Sequence, residues 1–356
     1  MNKFFKVSWT IILLLLISHN SFPQNNKPNT DWLFVYYMPY DNNLSKFGEE
    51  IIKMISDNVK SENVIVSIQA EFADKKGMFR YLITNNGITY STINNEYSAS
   101  INTYKEYITW VKDTVNYNKL AVIFLDHGGK LDEICLDEKP IKHFLMIDDI
   151  KSALESVFGK KAIDLLFLQV CTKGVIEALY EFKDTAKYTL CSQIELGAPN
   201  YYYPGLFTAF SNSAISTGYE AADLIVKNER NNMYNSLTLV DNTKFDNLFS
   251  LFSDLVNQIK NINISSNSLL TEKYYGELYW DVISILENIP NSESGRKLIE
   301  YIKNELILFH KITPGTFIRE AMSDHSGLSI SAEKNDKYDR LAFYKLLQPV
   351  RDLFIK

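Results

Sequence analysis

Leu120-Ala-Val-Ile-Phe-Leu-Asp-His-Gly-Gly129 is the stretch on which the fold turns. Six apolar residues run without a break and stop at Asp126-His127-Gly128-Gly129. A strand with one wet face would alternate, so the run predicts a strand covered on both faces, as inside a parallel sheet. Forty-four residues later, Asp164-Leu-Leu-Phe-Leu-Gln-Val170 follows the same pattern and stops at Cys171. Ile147 to Phe158, between them, carries a helical period.

The pattern extends outward. Trp32 to Met38 and Val64 to Ala70 predict buried strands, joined by an amphipathic helix over Leu44 to Val59 with Asp41-Asn42-Asn43 as its cap. Phe79 to Thr84 and Ile88 to Ile93 predict a hairpin around Asn85-Asn86-Gly87. Helices are expected over Ile101 to Tyr117 and Lys173 to Asp184, and a strand over Lys187 to Ser192. The alternation of strands and helices predicts an α/β fold, a mostly parallel sheet flanked by helices. The second half changes character. Lys244 to Ile262, Tyr274 to Ile289 and Ser294 to Ile312 have helical spacing, Gly327 to Ser331 predicts a late strand, and Leu341 to Phe354 a closing helix. The expected division is a signal peptide over 1–24, a catalytic core over 25–215, and a mainly helical C-terminal region over 216–356 that packs on the core and contributes the late strand.

The amino terminus supports the first of those divisions. Lys3 and Lys6 precede an apolar run from Val7 to Ile17, and the polar stretch Ser18 to Gln24 follows. These are the three regions of a secretory signal, and the run is short for a membrane-spanning helix. An uncleaved anchor is the alternative reading. Export is therefore expected, to the medium, the periplasm or the cell surface, with no stable membrane insertion after the signal is removed. Removal would take the formal charge from -6 to -8. Acids and bases are mixed along the chain, and no basic block interleaves with aromatics, so nucleic acid is not an expected partner. A monomer is expected. The three cysteines, Cys135, Cys171 and Cys191, lack metal-finger spacing. An odd count in an exported chain leaves at least one thiol unpaired.

His127 and Cys171 each stand just past the end of a buried strand, where open parallel sheets bind ligands. A thiolate needs a neighbouring base, and the imidazole can later protonate a leaving amine. Gly128 lets backbone approach a substrate, with its N–H toward a developing oxyanion. With Cys171 at the start of the expected helix, its own N–H would point the same way. Packing alone can also explain a cysteine at a strand end.

These segments resemble the clostripain family of cysteine peptidases, which share the caspase-like fold of caspases, gingipains and legumains. The resemblance rests on Val122-Ile-Phe-Leu-Asp-His-Gly-Gly129, Ile134-Cys-Leu-Asp-Glu138, Ile147-Asp-Asp-Ile-Lys-Ser-Ala-Leu154 and Asp164-Leu-Leu-Phe-Leu-Gln-Val-Cys-Thr-Lys-Gly-Val-Ile-Glu-Ala-Leu179. Ala186 to Ser192, Glu195 to Pro204, Ser236 to Asp241 and Gly327 to Ile330 are similar to later family segments. The resemblance implies a Cys171–His127 dyad, with the N–H groups of Gly128 and Cys171 as the oxyanion hole and no third residue. It implies a substrate pocket involving position 169, with Ser192 and Glu195 nearby. It implies protein or peptide substrates as the partners and no required cofactor. Some relatives need calcium, which Asp132, Glu133, Asp137, Glu138, Asp148 and Asp149 could bind, although a solvated charged loop explains them as well.

The chain departs from the family at Gln169, where members usually carry the acidic residue that pairs with a substrate Arg or Lys. An amide has no charge to offset a buried cation, so cleavage after Arg or Lys is not expected to carry over. Thr172-Lys173 also replaces the usual apolar pair. Two other readings follow from the same residues: an inactive binding protein that keeps the fold, and a peptide ligase using the same acyl-enzyme.

Overall fold

The computed structural model describes residues 27–139, 141–234, 236–259, 269–290, 292–313 and 324–354. The expected signal segment lies outside them. Nine strands form the central sheet: β1 (Asn29–Tyr40), β2 (Val64–Phe72), β3 (Met78–Thr84), β4 (Gly87–Ile93), β5 (Asn116–Leu125), β8 (Ile163–Gln169), β9 (Ala186–Cys191), β10 (Ser236–Asp241) and β13 (Ile307–Ile312), in the order β13-β10-β9-β8-β5-β1-β2-β3-β4. The five from β9 to β2 are parallel, and the two at each edge are antiparallel.

The unbroken apolar runs are explained by two cores. Trp32, Phe34, Tyr36, Met38 and Tyr40 of β1 pack on one face with α1 (Ser45–Asn58), α5 (Tyr203–Asn212) and α6 (Gly218–Asn228). Leu33, Val35 and Tyr37 pack on the other with α2 (Ile101–Thr114), α3 (Ile147–Phe158), α4 (Ile176–Glu181) and α7 (Phe245–Gln258). Each helix buries one apolar stripe; in α1 it is Ile51, Ile52 and Ile55. Ser100 caps α2 by accepting from the Thr103 N–H, and Thr217 with Glu220 forms a capping box on α6.

Several expectations are corrected. Asn42 does not cap α1 as proposed for its triplet: its Oδ1 accepts from the Leu44 N–H, while its Nδ2 donates to Asp126 Oδ1 at 2.8 Å. The helix expected from Lys173 begins only at Ile176. The helix expected over Tyr274 to Ile289 is instead the hairpin of β11 (Thr271–Tyr274) and β12 (Glu277–Asp281), then a short helix over Val282–Glu287. Tyr275 and Gly276, at φ +50° and +81°, make the two-residue turn that sets this register. Ser294 to Ile312 is helical only in its first part and ends as β13, which pairs antiparallel with β10. The closing helix is two short ones, Ala342–Leu346 and Gln348–Phe354. The late strand, β14 (Ser329–Ser331), joins β12 in a three-stranded sheet. A further hairpin, β6 (Glu133–Asp137) and β7 (His143–Met146), follows the Gly128-Gly129 turn.

The small sheet braces the strand ends. Glu277 Oε2 accepts from the Leu131 N–H at 2.9 Å, and the Ser329 N–H donates to the Gly174 carbonyl at 2.8 Å.

Candidate active site

The two strands that lead to His127 and Cys171 are neighbours. β5 and β8 run parallel with Leu125 opposite Gln169, so His127 and Cys171 are the second residues past paired strand ends. Both line one cavity of about 280 Å³. Gly128 packs directly on Cys171: a Cβ on it would stand 2.2 Å from the Cys171 carbonyl oxygen. Only a residue without a side chain allows that approach.

Hydrogen bonds hold the two turns. The Cys135 N–H donates to the His127 carbonyl at 3.0 Å and the Gly129 N–H to the Glu133 carbonyl at 2.8 Å. Beyond Cys171, Thr172 adopts φ +54°, a conformation that costs a side-chain-bearing residue about 1–3 kcal/mol. It is held by its N–H bond to the Ile194 carbonyl at 3.0 Å, and the Lys173 and Gly174 N–H groups both donate to the Ser192 carbonyl. Among the described residues, no acceptor engages the N–H of Gly128 or of Cys171. The Cys171 N–H does not lie at a helix start, since α4 begins five residues later, and the expected help from a helix dipole is absent.

His127 Nε2 lies 2.6 Å from Asn43 Oδ1. That oxygen can only accept, so the ring proton sits on Nε2 and the lone pair on Nδ1. Burial lowers the His127 pKa below its ordinary value, opposed by Glu138 and assisted by Lys142. Burial raises that of the Cys171 thiol, opposed by the Leu196 N–H and by the nearby Tyr274 hydroxyl. The resting pair is therefore a thiol beside a neutral imidazole. No hydrogen bond joins them; the Leu196 N–H donates to Cys171 Sγ at 3.3 Å.

The cavity walls are Tyr40, Leu44, Phe47, Leu125, Leu196 and Ala198, with Gln169 and Asn200 at the floor. Gln169 Nε2 donates to Asn200 Oδ1 and to the Tyr203 hydroxyl, and its Oε1 accepts from the Tyr202 hydroxyl at 2.8 Å. The Gln169 amide is thus engaged within the protein at both its nitrogen and its oxygen. Asp126 also lines the cavity, and burial raises its carboxyl pKa well above the usual range, opposed by hydrogen bonds from Asn42 and the backbone. Ser192 does not reach the cavity: it is fully buried, its hydroxyl donating to the Ile194 carbonyl. Glu195 is not among the lining residues, although its charge is felt at Cys171.

The acids weighed for calcium are largely engaged within the protein. Asp132 and Asp148 pair with Arg340, Asp137 accepts from Ser98 and the Ala99 N–H, and Glu133 accepts from the Lys130 N–H. Sequence reading missed Asn43, Tyr274, the Leu196 N–H and most of the cavity wall. Asn43 stood in plain view but was assigned to a helix cap.

Comparison with known proteins agrees with this fold. The clostripain family profile matches residues 36–294. A secreted cysteine protease from Bacteroides thetaiotaomicron, solved with an irreversible peptide inhibitor, superposes with a TM-score of 0.73 at 14% identity, covering 90% of this chain and 98% of the other. An inactive zymogen protease from Parabacteroides distasonis gives 0.66 at 16% identity, covering 92% and 98%. No curated protein sequence matches the chain. The sheet and its flanking helices have the caspase-like architecture of these proteases.

Proposed function

The chain belongs to the clostripain family and is a cysteine peptidase, and from that premise we propose that Cys171 is its nucleophile and His127 its base. The observation that carries the assignment is the register of β5 and β8, which brings both residues to one cavity from paired strand ends. His127, neutral at rest, takes the thiol proton through Nδ1 as sulfur attacks the peptide carbonyl. Asn43 holds the ring by its Nε2 proton. The N–H groups of Gly128 and Cys171, both unspent, receive the oxyanion. The imidazolium protonates the leaving amine, and water then releases the acyl group.

The pocket supports an uncharged, mainly apolar side chain at P1. Its walls are aliphatic and aromatic, the Gln169 amide is engaged by Asn200, Tyr202 and Tyr203, and burial raises the pKa of its one carboxyl, Asp126. A substrate cation would lose its hydration with no counter-charge to meet it. Export is supported by the amino-terminal pattern of Lys3, Lys6 and Val7 to Ile17, and the Bacteroides protease is itself described as secreted.

The test is profiling of the mature protein on a diverse peptide library, beside Cys171→Ala. Cleavage after neutral residues, lost in the variant, is the expected result. Equal turnover by the variant would remove Cys171 from the chemistry, and dominant cleavage after Arg or Lys would overturn the pocket assignment alone.

A further inference from the structure

The site has a further polar side chain, supplied from a distance of more than 100 residues. Tyr274, last residue of β11, donates from its hydroxyl to the Gly128 carbonyl at 3.3 Å. Gly128 is the residue packed against the Cys171 backbone. A bond of 3.3 Å is long for an O–H donor and readily given up. The hydroxyl also faces the Cys171 thiol and favours its ionised form.

We propose that Tyr274 is a further catalytic residue, whose hydroxyl hydrogen turns from the Gly128 carbonyl to Cys171 Sγ as the thiol loses its proton. The need for such a donor follows from the geometry. His127 is tied to Asn43 and makes no hydrogen bond to Cys171. Sulfur receives one donor directly, the Leu196 N–H. Its charged and titratable surroundings are mixed: Lys173 favours the thiolate and Glu195 opposes it, while His127, Asp126 and Tyr275 complete the enclosure. Tyr274 can give without ionising, because burial and the neighbouring thiol push its own pKa far above the tyrosine range. The proton taken from Cys171 goes to His127, and the tyrosine keeps its own. Hydrogen bonds to charged acceptors are about twice as strong as neutral ones, so the donor acts on the thiolate and the developing charge rather than on the resting thiol.

This rests on Cys171 being the nucleophile, and the test is chosen to read the thiol without peptide turnover. Iodoacetamide alkylation of Cys171 in the full mature chain is followed by mass spectrometry across pH, for the native protein, Tyr274→Phe and Thr271→Ala, an exposed position on the same hairpin. Cys135 and Cys191 are buried and serve as internal references for folding. Tyr274→Phe keeps the ring that packs on Tyr275. The expected result is a profile moved to higher pH and alkylation at neutral pH slowed about tenfold in Tyr274→Phe, with Thr271→Ala unchanged. Equal profiles for the native protein and Tyr274→Phe would overturn the proposal, as would faster alkylation, which would make the hydroxyl a restraint on the thiol. Equal slowing in both variants would assign the effect to the hairpin and also overturn it. If Cys171 is alkylated as expected but no peptide is cleaved, the peptidase reading fails and the tyrosine's effect stands.

Discussion

The Lys173 ammonium donates to the carbonyl oxygen of Gly129 at 2.9 Å, joining the segment after Cys171 to the segment after His127. A second bond goes to the Lys130 carbonyl at 2.7 Å. The side chain is fully buried, and burial lowers its pKa to about 8 despite Glu277, Asp132 and Glu133 nearby. Lys173 is a strut that fixes the distance between the two turns.

Lys173→Met would leave the Gly129 carbonyl without a donor and the Lys130 carbonyl with the Glu133 N–H alone. A loss of about 1–3 kcal/mol in folding stability is expected. Because catalytic geometry tolerates little displacement, kcat/KM should fall at least about tenfold. Chemical denaturation and steady-state kinetics on the same preparation check both, and an active, fully stable variant would show the strut to be dispensable.

The pH profile follows from the two shifts. His127 acts as a base only when neutral, and its pKa lies below the ordinary value of about 6.5. Lowering the pH through that depressed pKa protonates it and removes activity, so the acid limb of kcat/KM should fall below about pH 6.5. The thiol is raised, so no loss of activity is expected between pH 7 and 8. An acid limb centred at or above pH 7 would mean a cationic resting imidazole instead.

Gln169→Asp returns an acid to the pocket floor. Turnover after Lys or Arg should rise by about tenfold or more relative to the native protein, while cleavage after apolar residues falls. Parallel assays on matched peptides measure the ratio. No gain toward basic residues would mean that the walls, not the missing charge, set the preference.

Gly128→Ala places a methyl group 2.2 Å from the Cys171 carbonyl oxygen, so one turn must shift. Displacing an oxyanion donor typically costs ~100-fold or more in kcat. That loss is expected with binding of a peptide ligand largely retained, which kcat and KM measured separately will resolve.

The parallel core was legible because β5 and β8 are covered on both faces and therefore read as unbroken apolar runs. The same runs marked His127 and Cys171, since each breaks off at the residue pair that precedes one of them. The hairpin over Tyr274 to Asp281 was illegible because Tyr274, Leu278, Val282 and Leu286 also have helical spacing; the turn at Tyr275-Gly276 decided otherwise. Gln169 was read correctly as uncharged, but its pairing with Asn200 depends on a loop 31 residues away. Lys173 looked like a mark against catalysis, because nothing local reveals that its ammonium meets two carbonyls across the cleft.

The most direct measurement is intact-mass analysis and peptide mapping after treatment with a peptidyl electrophile bearing an apolar P1 residue, on the native protein, Cys171→Ala and His127→Ala. The expected result is one adduct on the native protein, mapped to Cys171, absent in Cys171→Ala and formed much more slowly in His127→Ala. An adduct on Cys135 or Cys191, or labelling of Cys171 at the same rate without His127, would contradict the assignment of the pair.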